Sequence, residues 1–328
     1  MREIFRSTDL AEIAMLTSVF KAAGLQLFPF DEYTNAIGGG LLGGFSPCRF
    51  MVLDEEYEDA CEILKEYGLD LAPSDDDDYP FEIMETTLLA GRVKLLQPKT
   101  GFHASIDSVF LAAAVPVKDR HKVLDAGCGV GSVGLCVLSR NKNISLTGID
   151  IQSDLIDLAC ENADLNGVAE RCNFFHGDIL TEKAIPDNAF NVVTMNPPYL
   201  EGGAHTPSPE KIKAASHGEN ASGATLEDWV RYAHRKLKQG GTLTMIHRAD
   251  RMDDVIGALE KKRWFGSLVI YPLWPHAGED AKRILVQARK ERYAPLILKS
   301  GMVIHKENGQ YTDTARLILS ESDTIALT

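Results

Sequence analysis

The sequence has few cysteines and no long apolar run, and each absence excludes a class of protein. None of its six cysteines has C-x-x-C spacing, which argues against a zinc site or a redox pair, so we predict no metal. No stretch of about 18 uninterrupted apolar residues occurs, and the start, MREIFRSTDL, lacks a basic region followed by an apolar one. We therefore expect no membrane span, no membrane partner and no secretory signal, and a cytoplasmic location.

The negative charge of the chain is confined to its first quarter. The net charge is -13, yet residues 1–80 hold 5 of the 34 Lys and Arg residues and 17 of the 47 Asp and Glu residues. Residues 81–328 are therefore close to neutral. Because a local basic face is compatible with that balance, the low isoelectric point does not exclude a nucleic-acid partner.

Residues 1–70 have the pattern of a small acidic domain with the order strand, helix, strand, strand, helix. This order predicts an α+β, ferredoxin-like fold, in which Asp54 caps the last helix. We interpret the glycine-rich loop Ile37–Gly44 as a hairpin connection rather than an anion cradle, and 71–80 as an acidic linker. The domain resembles small signal-transducing domains related in shape to PII regulators. The resemblance implies a regulatory role with a small ligand or a protein partner.

Residues 81–328 alternate strands and helices, which predicts an α/β fold with a mostly parallel sheet covered by helices on both faces. The predicted strands are KVLDAG, SLTGID, NFFHGD and NVVTMN, and helices are expected to start near Ser132, Ser153 and Thr225. In such a sheet, ligands bind at the carboxyl ends of the strands.

The stretch VLDAGCGVGSVG indicates a cofactor site at the end of the first of these strands, because glycine lets the backbone approach a ligand closely. Gly129, Gly131 and Gly134 form G-x-G-x-x-G, and Asp150 lies 21 positions after Gly129, a pattern that also fits a dinucleotide site. That interpretation would bury the carboxylate of Asp125 within the strand. If the turn instead begins at Gly127, Asp125 lies at the strand tip and faces the crevice.

The stretch NVVTMNPPYLEGG places Asn196, Pro197, Pro198 and Tyr199 at the end of a buried strand. Asn196 can accept a hydrogen bond from one N–H of a planar amine, and the Pro197 carbonyl can accept one from the other. The prolines hold these acceptors rigidly, and Tyr199 offers an aromatic face to an unstacked base. This acceptor pair suits adenine, cytosine and a glutamine amide almost equally.

The D-x-G-x-G-x-G turn and NPPY resemble motifs of class I S-adenosylmethionine-dependent methyltransferases, which have a Rossmann-like sheet with a C-terminal antiparallel strand. With LLQPKTGFHASIDSVFLAAAVP, PLWPHAG and AKRILVQARK, the chain most resembles bacterial tRNA adenine-N6 methyltransferases that act next to the anticodon of a valine tRNA. The resemblance implies S-adenosylmethionine as cofactor and tRNA as partner, with Asp125 near the methionine moiety, Asp150 on the ribose and Asp178 on the adenine amine. It further implies cofactor contacts from these residues: Gly127, Gly129, Gly131, Ile151, Ile179, Phe102, Ser105 and Asp107. From its position, Asp107 could equally be the N-cap of a helix that begins at Ser108.

Basic residues near the predicted strand ends indicate a nucleic-acid surface. Residues 201–328 hold 19 Lys and Arg residues against 16 Asp and Glu residues. We predict phosphate contacts for Arg248, Arg251, Lys282 and Arg283. Trp274 and His276, which lie between prolines, are either base-stacking residues or loop anchors.

Three functions follow from these motifs. The first is methyl transfer to the N6 amine of a tRNA adenine. The second is protein-glutamine N5-methylation, since that family shares NPPY. The third is a signalling or interaction protein with a non-catalytic methyltransferase-like domain, which the intact motifs disfavour.

Overall fold

The computed structural model describes residues 2–7, 10–29, 48–67, 79, 81–100, 104–198, 223–321 and 323–327. The chain divides into two compact units, Met1–Pro80 and Phe81–Thr328. No helix in these described ranges is long and apolar enough to cross a membrane.

The described residues of the smaller unit form a three-stranded antiparallel sheet with two helices, which confirms the predicted small α+β region. Its elements are β1 (Arg2–Ser7), α1 (Leu10–Ala23), β2 (Phe28–Pro29), β3 (Cys48–Val52) and α2 (Tyr57–Glu66). The sheet order is β1-β3-β2, and the core includes Leu16, Phe20 and Phe50. The predicted cap at Asp54 is wrong, because Asp54 lies in a 3₁₀ turn and α2 begins after Glu56. The loop Ile37–Gly44 lies outside the described residues.

The larger unit has a two-stranded hairpin and a mostly parallel sheet, as the strand–helix alternation predicts. Its strands are β4 (Ile83–Leu88), β5 (Val93–Pro98), β6 (Lys122–Ala126), β7 (Ser145–Asp150), β8 (Cys172–His176), β9 (Phe190–Met195), β10 (Leu237–Arg248), β11 (Phe265–Trp274), β12 (Arg283–Lys290), β13 (Ile297–Leu298) and β14 (Met302–Val303). The order in the large sheet is β13-β11-β12-β10-β9-β6-β7-β8, with β14 on β11. The antiparallel strand is β12, inserted between β10 and β11. This topology confirms the predicted class I methyltransferase sheet.

Helices cover both faces of this sheet. They are α3 (Ile106–Ala114), α4 (Ser132–Arg140), α5 (Ser153–Leu165), α6 (Leu226–Lys236), α7 (Met252–Glu260) and α8 (Asp313–Ser320). Leu124 of β6 belongs to the core shared with α6 and α7, whereas the next residue, Asp125, contacts α4. Because successive side chains of a strand point to opposite faces, α4 and α6 lie on opposite sides of the sheet.

Asn162 of α5 attaches the β4–β5 hairpin to the sheet. Its side chain is fully buried and forms two hydrogen bonds with the backbone of Leu96, from Nδ2 to the carbonyl (2.9 Å) and from the amide to Oδ1 (2.6 Å). Nδ2 also donates to the carbonyl of Val130, at 3.0 Å. One amide side chain therefore joins the hairpin to the glycine turn after β6.

Candidate active site

The glycine turn begins where the sequence predicts it, directly after β6 ends at Ala126. The amides of Gly127 and Cys128 donate to the carbonyl of Ile149 at 2.8 and 3.0 Å, which holds the turn against the end of β7. Gly127, Gly129 and Gly131 all have positive φ, at 71°, 52° and 82°. Only glycine adopts this conformation without strain, so the three glycines are a structural requirement of the turn.

Trp229 of α6 packs directly against this turn, a contact that sequence reasoning missed. A Cβ added to Gly127 would lie 2.7 Å from Cη2 of the indole ring, closer than atoms pack. Trp229 is buried, and its Nε1 has no hydrogen-bond partner in the described structure. The helical spacing of Trp229, Val230 and Ala233 indicates a buried face but does not say what that face covers.

Asp150 lies at the carboxyl end of β7, beside the glycine turn. Its Oδ2 accepts from the amide of Gly129 at 2.8 Å, and its Oδ1 accepts from the amide of Gln152 at 3.0 Å. Burial raises the pKa of Asp150. A carboxylate has about four acceptor positions, so these two bonds leave capacity for further donors. The group therefore fits the vicinal hydroxyls of a ribose.

Asp125 occupies a different environment from the open strand tip that the sequence predicts. It precedes the last residue of β6, but its side chain is only 1% exposed and its Oδ2 accepts from the amide of Gly134 in α4, at 3.2 Å. Burial raises the pKa of this carboxyl to about 7. The turn thus starts at Gly127 as expected, while the carboxylate points to the helix that follows the turn.

The region after β8 supplies one polar group and one core residue. Asp178 is half-buried, and its Oδ1 accepts from the amide of Leu180 at 2.9 Å. Ile179, expected against an adenine ring, is buried in the hydrophobic core. Ile151 is half-buried, and its carbonyl lies 3.1 Å from Nε2 of His176. Of the three predicted cofactor contacts in this region, Asp178 and Ile151 are accessible and Ile179 is not.

The segment that starts with Asn196 lies immediately beside the glycine turn. In the sheet, Met195 of β9 pairs with Ala126 of β6. Asn196 follows Met195 and Gly127 follows Ala126, so the two residues leave the sheet side by side. Neighbouring strands lie about 4.8 Å apart, which places both motifs within one strand spacing. Asn196 is half-buried, Pro197 is buried and Pro198 is exposed. Tyr199 lies outside the described residues.

The N-cap of α3 is Ser105 rather than Asp107, which the sequence offered as one possibility. The helix begins at Ile106, and the Oγ of Ser105 accepts from the amide of Asp107 at 3.2 Å, so the N-cap is Ser105. Asp107 instead forms an ion pair with Arg283, with 2.8 Å between Oδ2 and Nε. Two residues that we assigned separately, to the cofactor and to RNA, thus contact each other. Phe102 lies outside the described residues.

The four predicted basic residues all lie at the carboxyl edge of the sheet. Arg248, the last residue of β10, pairs across the ladder with Arg283, the first residue of β12. Arg248 forms an ion pair with Asp250, and Arg251 with Asp254. Lys282 is exposed. Since pairs at the surface contribute little free energy, a phosphate can exchange for such a carboxylate.

The site therefore has a glycine turn for close backbone approach, an acceptor carboxylate at the end of the next strand and a rigid Asn-Pro-Pro segment on the other side. Within the described residues, no group of three or more His, Cys, Asp or Glu side chains could hold a metal ion. The chemistry of these residues fits the methionine and ribose of S-adenosylmethionine.

Comparisons with known proteins agree with this fit. Residues 103–262 match the family model "Methyltransferase small domain", and residues 1–68 match "Putative prokaryotic signal transducing protein". The chain is 24% identical over 219 residues to a tRNA1(Val) (adenine(37)-N6)-methyltransferase from Vibrio campbellii, covering 67% of this chain and 88% of the relative. The corresponding enzyme of Dickeya chrysanthemi is 22% identical, with 63% and 82% covered.

Two further similarities concern the same part of the chain. A release factor glutamine methyltransferase from Bacillus cereus is 27% identical over 177 residues, covering 52% of each protein. A crystal structure of a predicted O-methyltransferase from Agrobacterium tumefaciens superposes with a TM-score of 0.56 at 26% identity, covering 67% of this chain and 98% of that one. The larger unit therefore has the fold of class I, S-adenosylmethionine-dependent methyltransferases, its residues 103–262 are similar to the methyltransferase small domain, and residues 1–68 are similar to prokaryotic signal-transducing proteins.

Proposed function

We propose that the protein methylates the exocyclic N6 amine of an adenine in tRNA, next to the anticodon. The observation that carries the proposal is the pairing of Met195 with Ala126, which brings the Asn-Pro-Pro segment beside the cofactor turn. The tRNA (adenine-N6) relatives match most of their own length, which supports adenine in tRNA as the acceptor.

In this proposal, Asn196 and Pro197 position the amine. The lone pair of an aryl amine is delocalised into the ring, which makes the nitrogen a poor nucleophile. Hydrogen bonds from its two N–H groups to the Asn196 side-chain carbonyl and the Pro197 backbone carbonyl draw the nitrogen toward tetrahedral geometry. S-adenosylmethionine, when bound, supplies an electrophilic methyl group. The alkylated amine is acidic, so it releases its proton without a dedicated base.

Asp150 and the glycine turn hold the cofactor in this scheme. The remaining acceptor capacity of the Asp150 carboxylate receives the ribose hydroxyls, and the turn at Gly127 lets the methionine moiety approach the backbone. Asp178, Ile151, Ser105 and Asp107 remain proposed cofactor contacts. The cations at the carboxyl edge contact RNA phosphates, since Lys282 is exposed and the three arginines are half-buried.

A glutamine side chain of a protein is the second candidate acceptor. The similarity to the release factor glutamine methyltransferase over half of each chain favours it. Both acceptors present a planar NH2 group to the same two oxygens, so the Asn-Pro-Pro geometry alone does not separate them.

Radiolabelled S-adenosylmethionine separates the candidates. The full-length protein is incubated with the labelled donor and total tRNA, total protein or neither, and labelled RNA is digested to nucleosides for mass spectrometry. We expect label in tRNA as N6-methyladenosine. Label in glutamine and none in RNA would overturn the proposal.

Two asparagine variants test the role of Asn196. Asn196→Ala should abolish transfer while leaving S-adenosylmethionine affinity unchanged. Asn191→Ala is the matched control, because Asn191 lies near the opposite end of β9, where its Oδ1 accepts from the amide of Lys122 at 3.0 Å. That variant should retain transfer.

A further inference from the structure

Three aromatic rings lie against one another at the carboxyl edge of the sheet, beyond the proposed active site, one pair stacked and one pair tilted; we name them the ring stack. The ring centroids of His276 and His305 lie 5.5 Å apart with an interplanar angle of 35°. The centroids of His305 and Tyr311 lie 5.1 Å apart at 25°. Tyr311, at one end of this ring stack, is 40% exposed. The ring stack thus presents aromatic surface to solvent.

The backbone holds the ring stack in place before any ligand arrives. The amide of His305 donates to the carbonyl of Pro275 at 2.9 Å, and His305 and Tyr311 form an antiparallel bridge. The chain reaches this position through Gly301, whose φ is +78° and whose added Cβ would lie 2.2 Å from the carbonyl oxygen of Pro272. Because the backbone is already ordered, binding a base here requires little further loss of conformational entropy.

The ring stack and the active site lie on one edge of one sheet, at a spacing that suits a nucleic-acid strand. Asn196 follows β9, and His276 follows β11 by two residues, with β10 and β12 between them. Three strand spacings of about 4.8 Å separate β9 from β11 by roughly 14 Å. This distance is about four nucleotides of a stacked strand at 3.4 Å each, and fewer where the strand is extended.

Cations occupy the interval between the two positions. Arg248 ends β10 and Arg283 begins β12, with 39% and 33% of their side chains exposed, and Lys282 is exposed beside them. Proteins that bind single-stranded nucleic acid combine such a cationic path along the backbone with aromatic rings on which bases stack. Along this edge, Asn196 and Pro197 are followed by the cations and then by the ring stack, which is the arrangement of a single-strand binding surface.

We propose that the ring stack is a platform for an unpaired base of the RNA substrate, a few nucleotides from the target adenine. This inference rests on the proposed function and adds a specificity-determining surface to it. The platform selects RNA in which the bases beside the target are unstacked, as in a loop, because a base within a helix has no free face to offer.

Two substitutions of Tyr311 test the platform. Tyr311→Ala removes the outer ring, and Tyr311→Phe keeps the ring while removing the hydroxyl. The Kd for total tRNA is measured by filter binding, and KM and kcat for tRNA are measured with labelled donor. We expect Tyr311→Ala to raise Kd and KM by about 5- to 140-fold, the effect of losing one base–aromatic stack. We expect kcat and the S-adenosylmethionine Kd to stay unchanged, and Tyr311→Phe to match the unsubstituted protein.

The measurements distinguish failure of the base platform from failure of the proposed tRNA methylation. Equal Kd and KM for Tyr311→Ala and the unsubstituted protein would overturn the platform and leave the proposed function standing. If the unsubstituted protein labels protein and not tRNA, the proposed function fails, and the platform with it. A loss of folding in Tyr311→Ala shows as a lowered Tm, in which case His276→Ala and His276→Phe serve as the ring-loss and ring-retaining pair.

Discussion

The contact between Gly127 and Trp229 makes the cofactor turn sensitive to a single methyl group. Gly127→Ala places a Cβ 2.7 Å from the indole ring and forces alanine into a φ of +71°. The left-handed conformation costs about 1–2 kcal/mol for a residue with a Cβ. Overpacking against a buried ring adds about 1–3 kcal/mol. The expected loss of unfolding free energy is therefore about 2–5 kcal/mol.

Two other glycines separate these contributions. Gly167 has a φ of +64° with nothing within 4 Å of an added Cβ, so Gly167→Ala carries the conformational cost alone. Gly134 has no positive φ, but its added Cβ would lie 2.4 Å from Cδ2 of Leu146, so Gly134→Ala carries the overlap without the conformational cost, offset by about 1 kcal/mol of helix propensity in α4. Each should destabilise the protein less than Gly127→Ala.

Thermal unfolding of the full-length chain measures the difference. For a unit of this size, about 1 kcal/mol corresponds to 2–4 °C in Tm, so Gly127→Ala should lower Tm by at least about 4 °C. It should also weaken S-adenosylmethionine binding, because the turn must shift away from Trp229, whereas Gly167→Ala should not. In a double-mutant cycle, Gly127→Ala and Trp229→Leu together should lose less than the sum of their separate effects. Equal Tm values for Gly127→Ala and Gly167→Ala would refute the steric argument.

Three further predictions concern buried charge and RNA affinity. Burial raises the pKa of Asp125 from 3.8 to about 7, so between these values the folded chain holds a proton that the unfolded chain has released, and stability falls as pH rises from about 4 to about 7. Denaturant unfolding across this window should show a flatter pH dependence for Asp125→Asn, and an unchanged slope would contradict the assignment. Lys236 Nζ lies 2.9 Å from Oε2 of the buried Glu182, so Lys236→Met should cost about 3–5 kcal/mol by leaving that buried carboxylate without a cation. Urea unfolding checks this, and Lys236→Met with Glu182→Gln should recover part of the loss. Arg283→Gln should reduce the slope of log Kd for tRNA against log salt by roughly 0.7–0.9, the effect of losing one phosphate contact, whereas Lys142→Gln, near the opposite edge of the sheet, should leave the slope unchanged.

Sequence reasoning located the elements of the site because their signals are local. The end of β6 at Ala126 and the start of α4 at Ser132 follow from a run of apolar residues interrupted by glycines. The helix expected to start near Thr225 is α6, and the structure shows Thr225 as its N-cap, with a side chain that accepts from the amide of Asp228. Helix caps were harder to predict, since neighbouring polar residues can each cap a helix. The cap predicted at Asp54 was wrong, and the role of Asp107 before α3 stayed open.

The side-chain environments were set by contacts between residues far apart in the chain. The ion pair of Asp107 with Arg283 joins residues 176 positions apart, and the sequence held no sign of it. Ile179 was expected against the adenine ring but belongs to the hydrophobic core cluster that also includes residues of α6 and the sheet.

The amino-acid sequence by itself determined the two motifs, the alternation of strands and helices and the acidity of the first unit, since each depends on residues adjacent in the chain. Only the tertiary structure decided that Asn196 lies one strand from the glycine turn, that Trp229 packs against Gly127 and that three rings contact one another at the same edge. These placements depend on the order of strands in the sheet and on the path of the chain between them. That order is chosen by the packing of the whole core rather than by any local stretch of sequence.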